Sequence, residues 1–303
     1  MGSPSSVVGL SRWYTDKDRG SFYGFWSASH NIGEAITFIA TAAVVSVAGW
    51  RWGFEVAGIA GLVGAGIILL FMKDSPTSQG LPSVIPPKEQ EKSAGMAQKE
   101  ALMNPYIWIL ALSSACMYVS RYAINSWGIF FLENQKGYSS IEASSIVAVN
   151  SVFGIIGTIL SGYLSDKLFK GNRVTPAVIF GVLNTIAIAL FVLVPEGYHY
   201  VDVLSMVLFG LSIGVLICFL GGLMATDIAP KKASGAALGI VGIASYIGAG
   251  VQDILSGQLI GDSKTVTSGI TAYDFSSIQY FWIGAAALSV IFCSMLWTAK
   301  KRN

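Results

Sequence analysis

The amino-acid sequence predicts an all-α polytopic membrane protein, and three observations support this. Of the 303 residues, 53% are hydrophobic and only 12% are charged, and that charged share is about half that of an average soluble domain. The apolar residues are gathered into long runs of about 20 residues or more, the length that a helix needs to cross the hydrocarbon core. These runs show no sustained period-2 alternation, and an open sheet cannot satisfy its edge groups in lipid.

Eight segments are predicted to cross the membrane as helices. They contain few or no charged residues, which is the composition that hydropathy detects in membrane helices. Residues 1–14 are a weaker ninth candidate, too short to cross alone. The eight segments are 21–47, 53–72, 106–130, 140–166, 174–194, 201–226, 236–260 and 278–298.

A polar stretch separates the first two of these segments from the other six. Residues 73–104 contain eight charged residues and four prolines. A segment of this composition buries too little apolar surface to join a packed core. We therefore predict three parts: the remainder of one helical half at 1–72, a solvated linker at 73–104, and a six-helix half at 105–303.

The basic residues predict the orientation of the chain. If the linker is cytoplasmic and the spans alternate, 15 of the 19 Lys and Arg residues lie on the cytoplasmic side, 3 lie opposite, and one lies within a span. An excess of positive charge is typical of cytoplasmic loops. Because one missed span would scramble this alternation, the asymmetry also supports the number of spans. The linker and the C-terminus are thus predicted to be cytoplasmic.

Small residues at helical spacing are frequent in several spans, for example Gly154, Gly157 and Gly162. Small side chains let membrane helices approach closely. Close packing is the simpler interpretation. The alternative is that these helices slide or rock against one another, as the helices of transporters do.

Arg121 is the one basic residue inside a predicted span, about 15 residues and ~22 Å from its start. A cation at that depth is costly unless it is paired or hydrated. Tyr118, Arg121 and Asn125 share one helix face, and a guanidinium fits phosphate or carboxylate. Contact with an anionic ligand is one interpretation. A structural ion pair is the other, with Asp253 as a candidate partner; Asp253 could instead help to select a substrate.

A second group of candidate residues lies on the first span, where Trp26, His30 and Glu34 are spaced four residues apart. The His30 imidazole can donate to an anion, titrate near neutral pH, or pair with Glu34. A core histidine satisfied by Glu34 is the alternative. We expect no metal site, because the only other histidine is His199 in an outer loop. Asp227, at the cytoplasmic end of its span, is expected only to snorkel or cap.

The loop at 162–173 carries a cluster of charges. Asp166 can combine with Lys167, Lys170 and Arg173 to latch helix ends in one state. The loop sequence, GYLSDKLFKGNR, resembles the GxLxDxxxGxR-type signature of the major facilitator superfamily. In that superfamily the signature joins the second and third helices of each six-helix half, and here it follows the second span after the linker.

Six stretches resemble one branch of that superfamily, the organophosphate:phosphate antiporter family. They occur in family order over nearly the whole chain. The resemblance is closest to hexose-6-phosphate transporters and their sensor-like relatives. The stretches are WYTDKDRG at 13–20, SHNIG at 29–33, DSPTSQGLP at 74–82, YVSR at 118–121 with Trp127, APKKASG at 229–235 and SYIG at 245–248.

The resemblance implies alternating-access exchange of a sugar phosphate, with hexose 6-phosphate first, for inorganic phosphate across a bacterial plasma membrane. In the family, arginines from the first and seventh helices clamp the phosphate, assisted by a histidine on the fifth helix and by tyrosines on the seventh and eleventh. The matching positions here are Arg121, His30, Tyr118 and Tyr246. A monomer without a cofactor is expected.

Three departures from the family pattern modify this expectation. When the six stretches are aligned with the family, the chain starts near the fourth of twelve helices. It would then lack the partner arginine, and we expect that it would not transport alone. Glu34 occupies a position that is commonly Gly, and its carboxylate would repel phosphate unless it is protonated or paired with His30. Val215 occupies the position of a tyrosine found in some glycerol-phosphate transporters, which disfavours that substrate.

Two other functions stay open. A membrane sensor that binds a sugar phosphate and signals to a partner would share Arg121 and His30. A transporter of another organic anion, such as a carboxylate, or a drug exporter would share the fold. We expect no enzymatic activity, since neither an HExxH nor a P-loop motif occurs. A net charge of +2 gives no reason to expect a nucleic-acid partner, and the three cysteines are widely spaced within apolar runs.

Overall fold

The computed structural model of the chain describes six stretches of residues, and these are almost entirely helical. Several side chains of the first two helices, including those of His30 and Glu34, lie outside the described residues, as does Lys170. The described stretches are 3–15, 19–84, 94–169, 171–230, 233–267 and 270–298.

The helices follow one another with short connections. A π-helical turn at Leu164–Leu168 extends α6, and another at Phe219–Leu223 joins α8 to α9. In chain order the helices are α1 Ser3–Trp13, α2 Arg19–Ala48, α3 Trp50–Phe71, α4 Ala94–Met103, α5 Pro105–Lys136, α6 Ser140–Tyr163, α7 Val174–Leu193, α8 His199–Cys218, α9 Met224–Ile228, α10 Ser234–Asp262 and α11 Ser276–Met295.

Seven helices in the described part are long and apolar enough to cross a membrane. They match seven of the eight predicted spans, and the remaining predicted span, 21–47, lies within α2. The predicted all-α polytopic fold class is confirmed. The main difference in length is at α5, which continues to Lys136 instead of ending at residue 130. Its last turns are polar, so hydropathy does not detect them.

The ends of α5 and α6 follow local sequence signals. The Asn104 side chain accepts a hydrogen bond from the Tyr106 backbone N–H at 3.0 Å, with Pro105 in the first turn of α5. Gly137, with φ of 69°, ends α5 in the left-handed conformation that glycine tolerates. Ser139 and Glu142 form a capping box that starts α6. The chain therefore reverses sharply, and α5 and α6 become neighbours.

A helix and a pair of strands in the described part of the chain were not predicted. Helix α4 lies inside the stretch 73–104 that was expected to be a solvated linker. After α10, strands β1 (Thr265–Thr267) and β2 (Ile270–Ala272) form a short antiparallel ladder. This ladder lies between two spans, where water can satisfy its edges, so it is compatible with a membrane protein.

Helices α6 and α8 pack backbone against backbone. A Cβ atom on Gly157 would overlap the carbonyl group of Leu211, and one on Gly214 would overlap that of Gly154. Small residues permit this distance of approach between membrane helices. The close-packing interpretation of the glycines therefore holds for this pair of helices.

Replacing Gly157 by alanine is expected to lower the free energy of unfolding by about 1–3 kcal/mol, because the new methyl group meets a backbone carbonyl that cannot move aside. Thermal unfolding of the purified chain in detergent would measure this. The matched control is Gly284→Ala on α11, where an added Cβ meets no atom of the described residues within 4 Å. Equal melting temperatures for the two variants would contradict the packing argument.

Helix α5 is held on one side by α10 and α11. The Ser114 and Ser245 hydroxyls lie 2.8 Å apart. Ser113 and Ser289 each donate to the other's backbone carbonyl at 2.8 Å. These hydrogen bonds sit within the spans, where water does not compete with them. They fix α5 against α10 and α11, and the Ser114–Ser245 bond lies one turn before Tyr118 on the face that carries the candidate residues.

Candidate functional site

A cavity of about 490 Å³ lies between α5, α6 and α8. Glycines 154, 210 and 214 contribute backbone to its wall, and the rest of the lining is divided equally between aliphatic and polar residues. Its polar side chains come from α5 and α6. They are Arg121, Asn125, Ser144, Asn150 and Ser151.

Arg121 is buried, with 8% of its surface exposed. Its guanidinium carbon lies 5.8 Å from the ring centroids of both Tyr118 and Tyr122. Such cation–π contacts stabilise a desolvated cation. Among the residues that the structure describes, the ion pairs involve other cations, and no carboxylate pairs with Arg121. A charge held by aromatic faces at the edge of a cavity remains able to bind an anion.

The structure does not form the ion pair considered between Arg121 and Asp253. Gln252 of α10 is fully buried, whereas Asp253 is exposed. The described ion pairs involve Arg12, Lys136 and Arg173, and none of them includes Asp253. The structural ion-pair interpretation of Arg121 therefore receives no support from Asp253.

The other predicted α5 and α10 residues lie beside Arg121. The rings of Tyr118 and Tyr246 meet edge to face, with centroids 5.7 Å apart. Tyr246 is 64% exposed. Asn125 follows Arg121 by one turn and lines the cavity. The structure thus groups Arg121, Tyr118, Tyr246 and Asn125.

Helix α2 packs against the α6 and α8 walls near its beginning. Tyr23 is 3% exposed and contacts Gly222 in the π-helical turn after α8. A Cβ atom on Gly24 would lie 3.1 Å from the Thr158 carbonyl oxygen of α6. The side chains of His30 and Glu34, further along α2, lie outside the described residues. Their predicted roles stay predictions.

Arg173 of the predicted latch has an acidic partner in another helix. Arg173 is 4% exposed, forms an ion pair with Asp227, and donates to the Leu223 carbonyl at 3.1 Å. Its Nε donates to Ser165 at 3.2 Å. The Arg173 side chain thus points into the bundle. Its contacts connect the π-helical turn that extends α6, at Ser165, with the turn after α8 and with α9.

The prediction that Asp227 only snorkels or caps is therefore wrong, because it is the ionic partner of Arg173. Of the other predicted latch residues, Asp166 is partly buried and Lys167 is exposed. Asp227 ends its span on the same side of the membrane as the loop at 162–173. That position was the signal in the sequence that could have revealed its pairing with Arg173.

A buried ion pair at the opposite end of the bundle was missed. Lys136 at the end of α5 pairs with Asp202 in the first turn of α8, and their side chains are 1% and 0% exposed. The Tyr138 hydroxyl donates to the same carboxylate at 2.8 Å. Burial and the bond to Asp202 raise the pKa of Tyr138 to about 12, so it stays a donor. An acid at the start of an apolar span, on the same side as a lone Lys, was the available signal.

One catalytic motif is matched by the sequence but not by the structure. Residues 210–214 read GLSIG, which matches the GxSxG pattern of a nucleophile elbow. That motif needs a serine exposed on a sharp turn between strand and helix. Here Ser212 is buried within α8 and donates to the Phe209 carbonyl at 3.2 Å. The geometry is that of a helix-packing serine.

The profile of the Major Facilitator Superfamily matches residues 1–252. The chain is 33% identical over 265 aligned positions to the "Membrane sensor protein UhpC" of Salmonella typhimurium, a match that covers 82% of this chain and 59% of that protein. The chain therefore spans about three fifths of the length of this relative.

Two transporters are similar over the full chain. A "Probable hexose phosphate transport protein" of Chlamydia pneumoniae is 32% identical over 330 aligned positions, covering 100% of this chain and 69% of that protein. A "Glycerol-3-phosphate transporter" of Bacillus subtilis is 29% identical over 320 positions with the same coverage.

A solved structure of the proton:xylose symporter XylE bound to 6-bromo-6-deoxy-D-glucose superposes on this chain with a TM-score of 0.69. The superposition covers 99% of this chain and 67% of the symporter, at 14% sequence identity. At that identity the likeness shows the fold alone.

Proposed function

The chain belongs to the Major Facilitator Superfamily. We propose that it binds a sugar phosphate at the cavity beside Arg121, and hexose 6-phosphate is our first candidate for that ligand. The single observation that carries this is a buried guanidinium which contacts tyrosine rings and, within the described part, pairs with no carboxylate. A phosphate that enters a membrane cavity loses its hydration, and a fixed cation with hydrogen-bond donors offsets that cost. The planar guanidinium can bind two phosphate oxygens at once.

The proposed activity is exchange of the sugar phosphate for inorganic phosphate by alternating access, with Arg121, Tyr118, Asn125, Tyr246 and His30 contacting the ligand. The names of the similar transporters specify hexose phosphate and glycerol-3-phosphate as cargo. Exchange needs one site that both anions can occupy, and a cationic cavity meets that need. The proposal includes a plasma-membrane location, the division at 73–104, and a monomer with a cytoplasmic linker and C-terminus.

A membrane sensor is the second candidate, because the chain is 33% identical to a protein with that name. Sensor and transporter would share the binding cavity. They differ in whether the ligand crosses the membrane, and this difference can be measured directly.

Calorimetric titration of the purified chain is expected to show binding of glucose 6-phosphate that inorganic phosphate competes away. Glucose and succinate should not bind. Glucose lacks a phosphate, and succinate has its two negative charges on separate planar carboxylates instead of on one tetrahedral phosphate group. Binding of succinate without binding of any phosphate would contradict the proposal. It would favour a carboxylate transporter.

Vesicles that contain the chain and are preloaded with phosphate test the exchange directly. Uptake of labelled glucose 6-phosphate that depends on internal phosphate supports exchange, and it would contradict the expectation that this chain does not transport alone. Phosphate-competitive binding without uptake agrees with that expectation and with a sensor, and it supports the shared binding site. Empty vesicles and vesicles loaded with sulfate are the controls.

A further inference from the structure

The α6 wall of the cavity carries three polar residues, Ser144, Asn150 and Ser151, that the sequence did not single out. They face the cavity across from the α5 wall with Arg121. In a helix as apolar as α6, side chains of this kind usually bond to their own helix. Whether these three do so decides what they can offer a ligand.

Ser144 and Ser151 lack a hydrogen bond that several serines of the spans make. Ser145, Ser161 and Ser245 each donate at 2.7 Å to a carbonyl of their own helix, as serines in membrane helices commonly do. Neither Ser144 nor Ser151 donates such a hydrogen bond to a described residue. Both side chains are exposed and line the cavity. Their hydroxyls are therefore available both to donate to and to accept from a ligand.

Asn150 lines the cavity, and one of its side-chain atoms has no hydrogen-bond partner among the described residues. Its Nδ2 donates to the Val147 carbonyl at 2.7 Å. Because a carbonyl oxygen can only accept, the NH₂ end must face Val147, and Oδ1 is left as an acceptor. A Cβ atom on Gly210 would overlap the backbone carbonyl of Asn150, so the contact between α6 and α8 holds this residue in place.

The two walls differ in charge, since the α5 wall carries Arg121 beside Asn125 and the α6 wall carries polar side chains without charge. Arg121 on α5 offers only donors and a positive charge, which suits a phosphate. The α6 wall adds the Asn150 acceptor and two hydroxyls, which suit groups that donate. A ligand that satisfies both walls has an anionic group at one end and hydroxyl groups at the other.

We propose that Ser144, Asn150 and Ser151 bind the hydroxyl groups of the sugar, with Asn150 Oδ1 accepting from one of them. The α6 wall then makes the cavity prefer a phosphorylated polyol to inorganic phosphate. This assignment rests on the proposed function, because it takes Arg121 as the site of the phosphate. It adds a set of residues that determine specificity separately from charge.

Titration of the full chain with glucose 6-phosphate and with inorganic phosphate tests this assignment. Asn150→Ala, and separately the double variant Ser144→Ala/Ser151→Ala, should weaken glucose 6-phosphate about tenfold, the effect of losing one net hydrogen bond. Inorganic phosphate should change less than twofold. Ser145→Ala is the matched control, since that hydroxyl bonds to its own helix, and it should change neither ligand.

An equal loss of affinity for both ligands, or no loss for either, would overturn the assignment while the proposed function stood. If the wild-type chain bound neither ligand, the proposed function and the assignment would both be overturned. Melting temperatures of all variants identify any that misfold. Ser144 and Ser151 are exposed, so the double variant keeps the test decisive even if Asn150→Ala is unstable.

Discussion

Replacing Asp202 by alanine is expected to lower the free energy of unfolding by about 3–5 kcal/mol, the cost of leaving one member of a buried ion pair unpaired. The Lys136 ammonium would then remain in a site where its side chain is 1% exposed. Tyr138 would also lose the acceptor of its 2.8 Å hydrogen bond. We expect this to be the largest effect of a single substitution on stability.

Reversible unfolding in mixed micelles would measure the effect. Asp262→Ala, at an exposed carboxylate in the last turn of α10, is the control and should change stability little. The double variant Lys136→Met/Asp202→Leu removes both charges and should recover most of the loss, because apolar replacement of a whole buried pair is often neutral or stabilising. A double variant as unstable as Asp202→Ala would show that packing, and not the unpaired charge, sets the cost.

The position of this pair gives it a role in the cavity. Lys136 ends α5 and Asp202 lies in the first turn of α8, and these helices form two of the three cavity walls. At the other end, the Arg173–Asp227 pair ties the segment after α6 to the end of α9. Ion pairs at both ends therefore fix the helices between which the cavity lies.

The spans could be predicted from the sequence because lipid imposes a uniform apolar run of fixed length. The polar last turns of α5, up to Lys136, escaped because hydropathy reports only what lies in lipid. The group around Arg121 could also be predicted, since Tyr118 and Asn125 share its helix face and Tyr246 belongs to a family motif. For these residues, the helical spacing along the chain or a short motif was enough to predict which of them lie together.

Pairing between distant helices could not be predicted in the same way. Lys136 and Asp202 are 66 residues apart in the sequence, and nothing in their local patterns links them. Gln252 and Asp253 are neighbours in the sequence, and which of them is buried depends on how α10 is rotated about its axis. The sequence does not specify that rotation to within one residue. The availability of the Ser144 and Ser151 hydroxyls depends on side-chain rotamers, because a serine in a membrane helix can instead turn its hydroxyl back to a carbonyl of its own helix.

Arg121→Gln is expected to weaken binding of glucose 6-phosphate and inorganic phosphate by about 100-fold to 1,000-fold, since two charge-assisted hydrogen bonds to phosphate are lost together. Arg121→Lys keeps the charge but not the planar pair of donors, so we expect an intermediate loss of about tenfold. Calorimetric titration measures both. The matched control is Arg51→Gln, on an exposed arginine of α3 that stacks on Trp50.

Stability distinguishes ligand binding from a structural role for the same residue. No described carboxylate pairs with Arg121, so Arg121→Gln removes a buried cation without leaving an unpaired anion behind. Its melting temperature should therefore equal or exceed that of the wild type while affinity collapses. If Arg121 were instead one half of a structural ion pair, the variant would behave like Asp202→Ala and unfold more easily. Phosphate affinity per folded molecule would then be unchanged, and the proposed site would be wrong.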